Sequence, residues 1–253
     1  MIKEITAELQ QAASSELAAH HQRFFKTEQG EYGEGDLFLG LKVPQIRTIA
    51  KKYTKTAQAE NLAEMLQSPY HEVLLAALVI MLEKFAKGSR EIREQMHQIY
   101  MDNLHGINNW DLVDISAGTL VGEFAFPDTS ILWKLARSQN LWQERISVIA
   151  TSYFIKQGIC LPTAELAEFF LDHPHDLMHK ACGWMLREAG KSDIASLRAF
   201  LNKYSGQMPR TMLRYALEKM DITERNRYMT QKNLTWQKVK KYPRDVKSRG
   251  FYF

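Results

Sequence analysis

Cysteine is scarce in this chain of 253 residues, which holds only Cys160 and Cys182. Two cysteines so far apart exclude a disulfide framework and a cysteine-rich zinc site, and they fit a reducing cytoplasm. Long hydrophobic runs are also lacking, because no window holds about 18 uninterrupted apolar residues, so we expect no membrane span. The first twenty residues contain acids and no apolar stretch, which predicts an amphipathic helix rather than a signal peptide.

Histidine occurs eight times, but its spacing does not indicate a metal site. His175 and His179 stand four residues apart, yet no HExxH motif and no obvious third ligand accompany them. No Ser–His or Cys–His arrangement stands out either. We therefore expect neither a metal nor a cofactor.

Strand signals are equally scarce, and helical periodicity takes their place. Apolar residues recur at i, i+3, i+4 and i+7, as in "HEVLLAALVIMLEKF" and "LMHKACGWMLREAGK". The chain is 45% apolar and 25% charged, which is typical of a globular protein. These patterns predict an all-α fold.

The helices repeat with a period of about 35 residues. Pro69, Pro174 and Pro209 precede three of them, and the same step places two further starts near residues 104 and 139. Each interval has room for a second helix, and two-helix units of this length are typical of α-solenoids. TPR consensus residues are absent, so we predict a superhelix of HEAT-like helix pairs with a concave binding groove.

Within this register, one stripe of helix face is aromatic and charged rather than aliphatic. Offsets of 6 and 10 from the starts, and of 13 from the fourth start, lie on one helix face and give one surface across neighbouring repeats. A stripe of tryptophans buried in the core, with charges at its edge, is the structural alternative. The stripe consists of Trp110, Asp114, Arg145, Lys180, Trp184, Arg187, Tyr215 and Lys219.

The residue types in this stripe favour a nucleic-acid substrate. Its arginines and lysines suit phosphates, and its tryptophans offer faces for bases and cations. Asp114 would repel phosphate, so simple DNA binding does not explain it. A carboxylate would help if a deoxyribose became oxocarbenium-like during loss of a base.

Positive charge is concentrated at the C-terminus. The net charge is +4, but the last 30 residues hold nine Lys/Arg and two Asp/Glu, so the preceding chain is mildly acidic. We predict one HEAT-like domain over residues 1–223 and a basic tail over residues 224–253. Such a tail suits a polyanion, and a solvated, disordered end is the equal alternative.

Three motifs resemble one family. "NNWDLVD", "LWQER" and "GWMLREAGK", in this order and at these separations, are similar to the AlkD family of DNA alkylation repair glycosylases. "DLFLGLKVPQIR", residues 36–47, resembles an early segment of the same family and includes Lys42. The resemblance covers about residues 20–220, whereas the Gly-rich acidic segment 26–36 reads as a longer loop.

The resemblance implies excision of cationic N3- and N7-alkylated purines from double-stranded DNA, with the base left stacked rather than flipped. It implies that Asp114 stabilises the sugar cation, that Trp110 and Trp184 form aromatic walls, and that Arg145 and Arg187 contact the DNA backbone. We add Lys180, Lys219, Lys42 and Tyr215 as DNA contacts, and expect a monomer in the cytoplasm near the nucleoid. A non-catalytic DNA- or RNA-binding module and a protein-binding scaffold remain the alternatives.

Overall fold

The computed structural model describes residues 1–231. This part of the chain holds fourteen α-helices, one short 3-10 helix at Leu104–Gly106 and no strand, apart from an isolated bridge between Leu37 and Tyr70. The predicted fold class is confirmed as all-α and consistent with a helical solenoid. The helices are α1 Ile2–Gln11, α2 Ser15–Phe24, α3 Val43–Tyr53, α4 Ala59–Met65, α5 His71–Lys87, α6 Arg90–Asp102, α7 Trp110–Leu120, α8 Ser130–Ala136, α9 Leu141–Lys156, α10 Leu161–Phe169, α11 Asp176–Ser192, α12 Ile194–Tyr204, α13 Arg210–Ala216 and α14 Ile222–Thr230.

Unit 1, residues Met1–Ile159, is organised around α5. This helix packs against α3, α4, α6 and α7, and most of its residues are buried because apolar side chains cover nearly its whole circumference. α9 packs against α7 and α8 in the same unit. Among residues 1–231, no helix is long and apolar enough to cross a membrane.

Unit 2 begins at Cys160, and α11 is its central helix. α11 packs against α10, α12 and α13. The last helix, α14, is held by the fully buried Tyr228 and by an ion pair between Arg198 and Glu224. The predicted domain boundary at residue 223 therefore falls inside α14, and most of the predicted basic tail lies outside the described residues.

The 35-residue period locates four of its five helices to within about two residues. α5, α9, α11 and α13 begin at positions 71, 141, 176 and 210, close to the predicted starts at 69, 139, 174 and 209. α7 instead begins at Trp110, six residues after the predicted start at 104. Trp110 is consequently the first residue of its helix, and Asp114 takes the fifth position, the same one that Arg145 takes in α9 and Lys180 in α11.

The late start of α7 has a local cause. Residues 104–106 form a single 3-10 turn, and a Cβ at Gly106 would lie only 1.9 Å from the carbonyl oxygen of Leu66. Asn109 then caps α7, since its side-chain oxygen accepts a hydrogen bond from the Trp110 amide at 2.9 Å. The chain therefore makes close contact with the end of α4 before the helix begins.

We expect Gly183→Ala to destabilise unit 2 by about 1–3 kcal/mol, the usual cost of overpacking. A Cβ at Gly183 in α11 would lie 2.4 Å from the backbone oxygen of Met212 in α13, and backbone atoms cannot move aside cheaply. Gly190→Ala in the same helix is the matched control, because its Cβ would meet only the Leu197 side chain. Chemical denaturation measures both variants, and equal stabilities would contradict the tight α11–α13 contact.

Candidate functional site in unit 1

Trp110 stands at one end of a column of stacked rings. Its indole stacks on Phe25 at 5.3 Å between ring centroids, Phe25 stacks on Phe38 at 5.0 Å, and Phe38 stacks on His71 at 4.6 Å. Phe24 meets Trp110 edge-on at 6.0 Å and is 56% exposed. Because such contacts are directional, the column fixes the orientation of the indole at the start of α7.

His71, at the inner end of the column, is buried between two carboxylates. Its Nε2 lies 2.9 Å from an Asp111 oxygen and its Nδ1 lies 3.7 Å from an Asp36 oxygen. Burial opposes the charged imidazolium, but the two carboxylates outweigh this effect and raise the pKa of His71 to about 9. His71 is therefore a buried cation at neutral pH.

The same carboxylates tie the loop that precedes α3 to the start of α7. Asp36 accepts hydrogen bonds from the side-chain amides of Asn108 and Asn109, at 2.5 and 3.0 Å. Asn109 also caps α7 through its other side-chain atom. Thus a continuous chain of polar contacts runs from His71 through Asp36 and Asn109 to the Trp110 backbone. Asp111, the next residue of α7, contacts His71 directly.

One turn further along α7, Asp114 forms a two-pronged ion pair with Arg145 of α9. The guanidinium donates from Nε to one carboxylate oxygen and from Nη2 to the other, both at 2.8 Å. The Arg145 side chain is only 5% exposed, whereas that of Asp114 is 17% exposed. The guanidinium therefore lies behind the carboxylate, and it is mainly the carboxylate that meets the solvent.

Opposing influences act on the Asp114 carboxyl group. Burial disfavours the charged form and raises the pKa of Asp114, while hydrogen bonds and charge from Arg145 act in the opposite direction. The nearby charge of Asp111 adds to the upward shift. The resulting pKa is above the usual value for an aspartate, so protonation begins at a higher pH than at an exposed carboxyl.

A cavity of about 390 Å³ opens beside Trp110. Its walls come from α2, α3, α5, the start of α7 and the loop that joins α2 to α3. Lys42, an exposed residue immediately before α3, lines it together with Trp110 and Asp111. Two residues of the predicted site, Lys42 and Trp110, are thus brought to one cavity in unit 1.

The remaining predicted residues lie in unit 2. Lys180, Trp184 and Arg187 are on α11, where Lys180 pairs with Asp176 at 2.9 Å and Arg187 binds Glu188 and Glu218. Tyr215 on α13 is 37% exposed and packs over the position of Gly183. Lys219, which follows α13, lies 3.8 Å from Glu218. Within unit 2, Arg187 and Lys219 therefore share one carboxylate.

Sequence reasoning missed the polar residues that support Trp110. His71, Asp36 and Asp111 carry no periodic signal, and the histidines attract attention only as possible metal ligands. The Asn-Asn pair before Trp110 was a usable signal, since asparagine is a favoured helix cap and marks the true start of α7. Across residues 1–231, no group of three or more His, Cys, Asp or Glu side chains is placed to hold a metal ion.

The buried imidazolium predicts a pH-dependent stability. Because the folded-state pKa of His71 is about 9 and an unfolded histidine titrates near ~6.5, its stabilising effect is complete below about pH 6.5. The effect is lost as the pH rises towards 9, amounting to a decrease on the order of 3 kcal/mol in the free energy of unfolding.

Denaturant unfolding across this pH range tests the prediction. In His71→Gln the decrease should disappear, whereas His105→Gln, at an exposed histidine, should keep the wild-type profile. A parallel loss of stability in wild type and His71→Gln would show that His71 is not a buried cation.

Comparison with known proteins assigns the family. The sequence model described as DNA alkylation repair enzyme matches residues 5–220. A search of curated proteins gives no match. Among solved structures, the chain is similar to a "Predicted DNA alkylation repair enzyme from Enterococcus faecalis", with 16% identity, a TM-score of 0.63, and coverage of 83% of this chain and 97% of that one. That structure shares the fold, and the match to the sequence model over most of the chain shows that this protein belongs to the DNA alkylation repair enzyme family.

Proposed function

We propose that the protein is a DNA N-glycosylase that excises cationic N3- and N7-alkylated purines from double-stranded DNA. One observation carries the proposal in a chain of this family: the Asp114 carboxylate, held on both oxygens by a buried arginine, one turn from an oriented tryptophan. The lesion stays stacked in the duplex while the bond breaks, as the resemblance to AlkD implies.

The geometry of the Asp114–Arg145 pair suits a transition state that gains positive charge. As the bond between C1′ and the base breaks, its electron pair leaves with the cationic base, which departs neutral, and the sugar becomes oxocarbenium-like. Water then adds to C1′ and loses a proton. A carboxylate that is already oriented stabilises this charge without reorganising at the moment of reaction.

Pairing with Arg145 also limits the repulsion between Asp114 and DNA. A lone carboxylate would repel the phosphates near the lesion, whereas the ion pair is close to neutral at a distance. At short range the carboxylate dominates, because it stands in front of the more deeply buried guanidinium. The pair can therefore tolerate the DNA backbone and still respond to a nearby sugar cation.

The other predicted residues take supporting roles in the proposal. Trp110 lies against the sugar and backbone of the damaged nucleotide, and Lys42 contacts a phosphate. In unit 2, Trp184 supplies an aromatic surface, while Arg187, Lys180, Lys219 and Tyr215 contact the DNA. The carboxylates that now bind these cations would be exchanged for phosphate oxygens when DNA is bound.

We expect Asp114→Asn to lower the single-turnover rate of base release by about 10²–10³-fold, with little change in the affinity for the lesion duplex. Asparagine retains the shape and one oxygen for Arg145 but removes the charge that opposes the sugar cation. The reduction should be smaller for 7-methylguanine than for a less activated lesion, because a good leaving group needs less help.

Asp128→Asn serves as the control for Asp114→Asn. Asp128 is an exposed carboxylate that accepts a hydrogen bond from the Ser130 amide, a contact that asparagine can also make. Base release is measured from a duplex containing one 7-methylguanine. Excision by Asp114→Asn at the wild-type rate under saturating enzyme would show that Asp114 is structural, and no base release by the wild type would favour a non-catalytic DNA-binding module.

Arg145→Gln should move the acid limb of the rate profile to higher pH. The carboxylate form of Asp114 is the active one, and Arg145 is the group that opposes the upward shift of its pKa. Removing Arg145 raises that pKa further, so the excision rate at pH 6 falls more than the rate at pH 8. Arg145→Lys retains the positive charge and should restore part of the limb. A uniform loss at all pH values would instead assign Arg145 to DNA binding.

A further inference from the structure

The cavity beside Trp110 has a rim and an interior of different character. Lys42, Val43 and Phe24 form an exposed rim, and Val43 is 45% exposed. Phe38 and Leu75 line the interior and are almost completely buried. A volume of about 390 Å³ lies within the range of small-molecule sites, and it is large enough for a flat bicyclic ring.

One polar atom in the cavity wall lacks a partner. Asp111 uses one carboxylate oxygen for His71, but its other oxygen is buried and accepts no hydrogen bond from any residue in the described part of the chain. Both oxygens of Glu72, the second carboxylate of the wall, already have partners. They accept hydrogen bonds from the backbone amides of Leu39, Gly40 and Leu41. A buried acceptor without a donor is costly, so the free Asp111 oxygen indicates an N–H group on a ligand.

The polar groups of the cavity wall favour a ring that carries N–H donors. The carboxylates of Glu72 and Asp111 line the cavity together with the imidazolium of His71, and Lys42 lies at the rim. Burial lowers the pKa of His21, although Glu72 acts against this shift, so His21 adds no positive charge to the wall at neutral pH. Aromatic rings at the rim and in the wall add stacking surfaces for a flat heterocycle.

We propose that this cavity binds the alkylated purine base once it has left the duplex stack. The inference rests on the proposed glycosylase function and adds a base-binding site to it. The purine ring lies among the aromatic side chains, and an amino group of the base donates a hydrogen bond to the free Asp111 oxygen. The ring arrives after cleavage, because the lesion stays stacked in the duplex until the bond to its sugar breaks.

Binding of free 3-methyladenine tests the site directly and does not depend on catalysis. We expect calorimetric titration to show saturable binding, and unsubstituted purine, which lacks the amino group, to bind about tenfold more weakly. Val43→Phe should weaken 3-methyladenine binding by at least tenfold, because the added ring occupies the rim. Thr48→Phe is the matched control: it adds the same ring to an exposed β-branched position of α3 that does not line the cavity.

A second measurement checks that only the freed base enters the cavity. We expect Val43→Phe to weaken binding of free 3-methyladenine without changing the preference for a duplex with a non-cleavable alkylated purine over undamaged duplex. A reduced preference in Val43→Phe would show that an attached base enters the cavity, and it would contradict the freed-base route.

The inference is overturned if wild type does not bind 3-methyladenine, or if Val43→Phe and Thr48→Phe bind it equally well. Either result leaves the proposed function intact as long as excision still requires Asp114. Conversely, if the protein binds 3-methyladenine but excises no base, the binding site would be supported and the proposed glycosylase function would be contradicted.

Discussion

A buried positive charge at His71 is the constraint on which the site in unit 1 depends. An imidazolium removed from water needs negative partners, and Asp36 and Asp111 supply them from different parts of the chain. The remaining contacts of Asp36 reach the start of α7 through Asn108 and Asn109. The position of Trp110, and with it the direction of the helix that carries Asp114, therefore follows from the need to satisfy one buried cation.

The ion pair between Asp114 and Arg145 shows how the repeat brings opposite charges together. Both residues occupy the fifth position of their helices, and α7 packs against α9, so equivalent positions face each other. A repeat normally fills such positions with aliphatic residues that stabilise the stack. Here the same geometry places opposite charges next to each other, and the ion pair holds the carboxylate in a fixed orientation.

Much of the fold could be predicted from the sequence, because α5, α9 and α11 carry dense apolar patterns and their starts follow a regular period. Trp110, Asp114 and Arg145 could also be singled out as candidate site residues, since their residue types are unusual in a core stripe. The contacts that these residues make could not be predicted. The six-residue delay of α7 depends on a 3-10 turn pressed against Leu66, and the partners of His71 depend on the path of an irregular loop. Neither leaves a periodic trace.

The contacts of Asp36 also bear on how the site is assembled during folding. Asp36 is separated from Asn108 and Asn109 by 72 and 73 residues, while most contacts between the described helices join helices that are one or two apart in the sequence. Closing a loop of this length costs conformational entropy, whereas local helix formation does not incur this cost. α7 can form as a helix early, but its first turn acquires its native anchors only when the N-terminal loop docks. The contacts of the site thus span a longer stretch of sequence than those of the surrounding helices. During synthesis, the site can form only after α7 has been made.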